Sequence, residues 1–133
     1  MQGSCLCGQV TYEADELAAP IVHCHCIKCR KAHGSAFSTT APVLRKHFRW
    51  LSGTELLRNF ESTPGKKRHF CSNCGSHLIA EWTNKPGVIL RLGCLDDDPG
   101  GKPKAHIWRS EGASWYNPND ILLELSEGRP KKP

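Results

Sequence analysis

Short apolar runs, separated by turn residues, follow one another along most of the chain. They are rich in β-branched and aromatic residues, and Gly, Pro or Asn interrupts them at roughly ten-residue intervals, the spacing typical of short strands. The pattern predicts strands at Gln9–Glu13, Pro20–Cys24, Phe37–Val43, Phe48–Leu51, Leu56–Glu61, Arg68–Cys71, His77–Thr83, Val88–Leu92, Ala105–Arg109 and Ile121–Leu125. We therefore expect an all-β fold.

The segment after Cys26 departs from this pattern. Its letters IKCRKAHG suit one helical turn, and Gly34 is placed to end it. Glycine and proline mark turns or loops at Thr63–Lys67, Asn84–Gly87 and Asp96–Pro103. The basic tail from about residue 128, GRPKKP, is expected to fray.

Length and composition favour one folded domain over residues 1–133. Apolar residues make up 38% of the chain and charged residues 23%, which is ordinary for a globular protein. No apolar stretch approaches the length of a membrane span, and the N-terminal letters MQGSCLCGQ lack the basic and apolar regions of a signal peptide. We expect a cytoplasmic protein with no membrane partner.

The formal charge of +5 is a weak indication of an anionic macromolecular partner. Seven thiolates holding two zinc ions would reduce it to roughly +2. Lys28, Arg30 and Lys31 form a basic stretch that could attract an anionic thiol. No recognition helix or aromatic stacking platform accompanies them, so a nucleic acid partner is not expected.

Seven of the 8 cysteines fall into three groups, which in a reducing compartment favours metal ligation over disulfides. Cys71-x-x-Cys74-Gly75 is a zinc knuckle, and two sulfurs make half of a tetrahedral site. Cys5 and Cys7 form the other pair without a third member. The spacing predicts a closed, structural four-thiolate zinc site from these two pairs.

Cys24, Cys26 and Cys29 remain, three thiols within six residues. Three protein ligands are typical of catalytic zinc, which keeps a position free for water or substrate. A thiolate site of this kind would accept a thiol substrate readily. The alternative is a closed site, its fourth ligand coming from His23, His25, His33 or Cys94. His25 is the less favoured of these, since it should point to the opposite face of the strand.

Five segments together resemble, in order and spacing, the glutathione-dependent formaldehyde-activating enzyme family, also known as the centromere protein V family. They are GSCLCGQVTYE, HCHCIKCRKAHGSAFST, RHFCSNCGSHL, LGCLDDD and HIWRSEGASWY, and they span nearly the whole chain. The resemblance implies a small zinc-containing fold of several short, bent antiparallel sheets with at most one or two helical turns. It also implies a structural zinc at Cys5, Cys7, Cys71 and Cys74 and a catalytic zinc at Cys24, Cys26 and Cys29.

The main hypothesis is a zinc-dependent carbon–sulfur lyase or synthase. It would make or break an adduct between a thiol, glutathione by family resemblance, and a small aldehyde such as formaldehyde. The chain resembles a compact member without a C-terminal extension, so the family's glutathione contacts are not carried over. A zinc-stabilised binding module without catalysis is the alternative. A thiol-based redox or metal-trafficking protein is a third hypothesis.

Other side chains have both an ordinary and a functional interpretation. Trp108, Trp115 and His106 could line a pocket, although such residues are more often core. Arg68 could bind a substrate carboxylate, although a solvated strand residue is commoner. Cys94, to which the resemblance gives no role, is expected to pack as a buried free thiol. The acidic run at 96–98 is expected to form a solvated turn.

Overall fold

The computed structural model describes residues 1–129, which form eleven strands and one short α-helix. The basic tail predicted from about residue 128 lies mostly outside this range. The elements are β1 (Gln2–Ser4), β2 (Thr11–Ala14), β3 (Val22–Cys24), α1 (Ile27–His33), β4 (Ser38–Leu44), β5 (Phe48–Ser52), β6 (Leu57–Thr63), β7 (Lys66–Cys71), β8 (His77–Trp82), β9 (Gly87–Arg91), β10 (Ala105–Ile107) and β11 (Leu123–Glu124). The predicted all-β class is confirmed.

Every predicted strand segment overlaps a strand, but β1 was not expected. Its letters QGS carry no apolar pattern, and contacts with a distant loop fix it instead. The Ser4 hydroxyl donates to the Asp96 carboxylate at 2.8 Å. The backbone N–H of Gln2 donates to the Asp97 carboxylate at 2.6 Å. The acidic run at 96–98 therefore anchors β1. The expectation that this run forms a solvated turn missed this structural role.

The strands form two sheets. The first contains β1, β2 and β5, and the second has the order β11-β10-β3-β4-β9-β8-β7-β6. Within the second sheet, the neighbouring strands in the series β3-β4-β9-β8-β7-β6 all pair antiparallel, as expected. Strand β10 pairs in parallel with both β3 and β11. The wholly antiparallel arrangement that the resemblance implied therefore fails at this edge.

The main core fills the space between the two sheets. Its fully buried members come from both sheets and from the loop before β2, and include Val10, Tyr12, Val43, Leu78 and Leu90. Side chains alternate between the faces of a strand, so the residues next to these core positions point to the other face of the large sheet. That second face carries the candidate site.

Helix α1 follows β3 directly and begins and ends as the sequence predicts. The Cys26 side chain accepts a hydrogen bond from the Cys29 backbone N–H at 3.3 Å, and so caps the N-terminus. Gly34 closes the helix in the left-handed conformation, with φ of 57°. A side chain would strain this conformation, which explains the glycine.

Candidate metal and substrate site

The first cysteine cluster joins the loop after β1 to the turn between β7 and β8. The ligand atoms of Cys5, Cys7, Cys71 and Cys74 all lie within 4.8 Å of one another. Gly75 follows the second pair with φ of +79°, and its N–H donates to the Cys71 carbonyl at 2.8 Å. Four converging thiols suit a tetrahedral metal such as zinc, so this cluster could hold one and tie the two sheets together.

The second cluster spans the junction of β3 and α1. Cys24 ends the strand, Cys26 caps the helix and Cys29 lies in its first turn, and their sulfurs lie within 4.8 Å of one another. Cys24 and Cys29 are buried, and Cys26 is partly exposed. This chemistry also fits zinc, with three thiolate ligands.

The thiols of this second cluster differ in acidity. Hydrogen bonding from Cys24 and then Cys26 lowers the pKa of Cys29 below its ordinary value, and the positive charge of Arg91 acts in the same direction. Hydrogen bonding to Cys26 and Cys29 raises the pKa of Cys24. Of the two buried thiols, Cys29 is therefore the more readily deprotonated.

Among the side chains considered as a fourth ligand, His33 lies outside the group of three thiols, and its Nε2 is buried without a hydrogen-bond partner within residues 1–129. His23 and Cys94 make other contacts. Nδ1 of His23 lies 2.8 Å from the Thr39 hydroxyl, and Sγ of Cys94 donates to the His77 carbonyl at 3.2 Å. Cys94 is half-buried and packs against the main core, near the first cluster. Among residues 1–129, the three thiols form a group without a further His, Cys, Asp or Glu.

His25 is held in a buried hydrogen-bonded chain on the other side of β3. Arg109 Nη1 lies 3.3 Å from His25 Nδ1, and because guanidinium can only donate, this nitrogen accepts. His25 Nε2 therefore donates to His106 Nδ1 at 2.8 Å, and His106 Nε2 donates to the Asp120 carboxylate at 3.0 Å. Burial, reinforced by the charge of Arg109, lowers the pKa of His25 to about 4. His25 therefore does not face the thiols, as predicted.

A cavity of about 980 Å³ opens beside the second cluster, bounded by α1 and the second face of the large sheet. Its lining includes all three thiols together with Trp82 and Trp108. Six cationic residues line it: Lys28, Lys66, Arg68, Lys85, Arg91 and Arg129. Glu111 is the one acidic lining residue in the described part of the chain. The cavity is therefore suited to an anionic molecule.

Arg68 and Arg91 stand out among these cations because both are buried, at 3% and 4% exposure. Arg68 donates from Nε to the Ser62 hydroxyl at 2.9 Å, and its Nη1 lies 3.7 Å from Cys29 Sγ. The commoner interpretation of Arg68 as a solvated strand residue is thus wrong. Arg91 was missed by sequence reasoning, although an arginine closing the apolar run VIL was a usable signal.

The aromatic candidates separate in the structure. Trp108 lines the cavity, whereas Trp115 is 70% exposed and lies outside the lining. His106 is buried in the hydrogen-bonded chain described above. In the basic stretch, Lys28 lines the cavity, and Arg30 donates to the backbone carbonyl of Glu111 at 2.7 Å.

A small β-fold with two thiol clusters that could each hold a metal ion, one of them beside a cationic cavity, defines the class of this protein. The sequence profile described as glutathione-dependent formaldehyde-activating enzyme matches residues 1–111. The chain belongs to this family. Membership implies an enzyme of the glutathione–formaldehyde type with a glutathione-type substrate.

The fold is similar to that of a solved structure. A crystal structure of a Rhodobacter sphaeroides protein matches with a TM-score of 0.64 and 25% sequence identity, over 77% of this chain and 98% of the other. Within residues 1–129, no helix is long and apolar enough to cross a membrane.

Proposed function

We propose that this protein is a zinc-dependent carbon–sulfur lyase or synthase, a single domain over residues 1–133 that works in the cytoplasm. It makes or breaks the adduct of glutathione with formaldehyde or a similarly small aldehyde. The main support for this proposal is that three clustered thiols lie in the wall of a cationic cavity. Among residues 1–129, no fourth ligand accompanies them.

The proposal assigns two zinc ions to each chain. Cys5, Cys7, Cys71 and Cys74 hold a structural ion, and Cys24, Cys26 and Cys29 hold a catalytic one. Zinc at the second position would favour the thiolate form of a bound thiol and could polarise a carbonyl oxygen. No separate serine or cysteine nucleophile is then required.

The remaining cavity residues bind and orient the thiol. Glutathione carries two carboxylates, and the cations that line the cavity complement them. The volume of about 980 Å³ is near the upper end of the usual range for small-molecule sites, so a tripeptide fits. Arg68, next to Cys29, stabilises negative charge on the thiol cluster.

Exchange between free glutathione and its formaldehyde adduct tests this function. The two interconvert slowly without a catalyst, and two-dimensional NMR exchange spectroscopy measures the rate. The zinc-loaded protein should accelerate exchange in proportion to its concentration. Cys26→Ser should abolish the acceleration without unfolding the chain. Cys94→Ser, outside both clusters, is the matched control and should keep it. A folded, two-zinc protein that leaves the rate unchanged would support the binding-module alternative instead.

A further inference from the structure

Arg91 presents unpaired hydrogen-bond donors to the interior of the protein. Its side chain is 4% exposed, and neither Nε nor Nη2 has a hydrogen-bond partner within residues 1–129. Burying an unsatisfied donor of a charged group is costly, and buried polar groups are nearly always paired. The two donors therefore indicate a place where a ligand supplies acceptors.

The two unpaired atoms lie on one edge of the guanidinium group. Nε and Nη2 carry parallel N–H bonds, and this edge matches the two oxygens of a carboxylate in a bidentate pair. Arg68 differs, because its Nε is already bound to Ser62 and its Nη1 is close to Cys29. The contacts with Ser62 and Cys29 thus explain why Arg68 is buried, whereas nothing among residues 1–129 pairs with the Nε and Nη2 donors of Arg91.

The position of Arg91 places its side chain on the same face of the large sheet as the second cluster. In the sheet, Arg91 pairs with Thr40, and Cys24 pairs with Ser38 on the same strand, β4. The side chains of all four residues share one face, because positions two apart on a strand point the same way. Arg91 and the thiols also line one cavity. A carboxylate held by Arg91 would therefore lie close to the sulfur of a bound thiol.

We propose that Arg91 binds a carboxylate attached directly to the aldehyde carbon, so that the carbonyl substrates of this protein include 2-oxo acids of the glyoxylate type. This rests on the proposed function. The thiol sulfur bonds to the aldehyde carbon while the carbonyl π bond breaks, and the oxygen takes the thiol proton. Glutathione and glyoxylate give GS–CH(OH)–COO⁻, and the reverse step releases both. The carboxylates of glutathione itself lie at the far ends of the tripeptide.

Thioglycolate, HS–CH2–COO⁻, carries a thiol and a carboxylate on the same carbon, as this adduct does. Isothermal titration calorimetry of the zinc-loaded protein compares the affinity of thioglycolate with that of 2-mercaptoethanol, which carries no carboxylate. Each affinity is corrected for the fraction of that thiol that is deprotonated. We expect thioglycolate to bind about tenfold to a hundredfold more tightly, the range for a charge-assisted pair. Arg91→Met should remove this preference, so that thioglycolate and 2-mercaptoethanol bind equally, and the loss of its charge beside Cys29 should weaken both thiols alike. Arg49→Met is the matched control, because Arg49 pairs with Glu13 and Asp15 away from the cavity, and should keep the preference.

Two results would refute the Arg91 subsite while leaving the proposed function intact. One is equal binding of the two small thiols to the unmodified protein, and the other is a preference for thioglycolate that survives Arg91→Met. If no thiol binds, the proposed function fails as well. Glutathione and its dimethyl ester distinguish the other source of a carboxylate: if Arg91→Met weakens glutathione more than the ester, Arg91 contacts the thiol substrate and the assignment is wrong. If Arg91→Met does not fold, turnover of glyoxylate against formaldehyde by the unmodified protein decides, and we expect glyoxylate to have the higher kcat/KM.

Discussion

Arg68 Nη1 lies 3.7 Å from Cys29 Sγ, and both side chains are buried. A guanidinium in this position stabilises the thiolate over the thiol, and a thiolate is the form that binds metal. The pair thus connects β7 of the large sheet to the helix that supplies Cys29.

Loss of this contact should weaken metal binding at the second cluster. For Arg68→Met we expect zinc affinity there to fall about tenfold or more, since a hydrogen bond to a charged group contributes about 1.5–3 kcal/mol. Competition with a chromophoric chelator measures it. Arg58→Met is the control, because Arg58 is exposed on β6, and should leave both zinc affinities unchanged. Equal loss in the two variants would refute a local role for Arg68.

The two cysteine clusters should differ in their contribution to stability. Cys71 is fully buried and belongs to the cluster that joins the two sheets, so Cys71→Ser should unfold or aggregate the chain. Cys26→Ser should leave it folded, because serine is itself a good N-cap for α1. Thermal melts compare the two variants. The reverse order of stability would mean that the structural and catalytic assignments are exchanged.

The buried chain from His25 to Asp120 should contribute to stability through His106. His106→Leu leaves the Nε2 donor of His25 without its acceptor, and we expect a loss of about 1–3 kcal/mol in the free energy of unfolding. Asp120→Asn retains an acceptor oxygen at a half-exposed position and should cost less than about 1 kcal/mol. Urea denaturation measures both. Equal losses would show that the chain does not act through the buried pair.

His33 should make stability depend on pH. Burial, with the charge of Arg91 in the same direction, lowers its pKa from 6.5 to about 4. Between pH 6.5 and 4, the unfolded chain therefore binds a proton at His33 that the folded protein does not. The contribution of neutral His33 to the free energy of unfolding is complete above pH 6.5 and is lost as the pH falls to 4. His33→Gln should flatten the pH profile of the unfolding free energy in this window. His47→Gln, at a surface ion pair with Asp15, is the control, and the same flattening there would contradict the assignment.

Local sequence patterns were sufficient for much of the fold and for both cysteine clusters. Gly34 ends α1 because the required conformation is a property of that residue. Each cluster could be assembled from short spacings, such as the knuckle of Cys71 and Cys74. The apolar run before Arg91 was a usable signal of its burial, but its place beside the thiols depends on the pairing of β9 with β4 and of β4 with β3, which no local pattern records. The parallel pairing of β10 depends likewise on long connections that no local pattern records.

Binding of glutathione to a cobalt-substituted second cluster tests the central claim most directly. Cobalt replaces zinc in thiolate sites, and its sulfur-to-metal absorption reports how many thiolates surround it. If the three-cysteine site is open, glutathione should intensify that band, and more so as the pH rises toward the pKa of the free thiol, because the ligand must lose its proton. A cobalt-loaded site whose spectrum ignores glutathione across neutral pH would contradict the catalytic account.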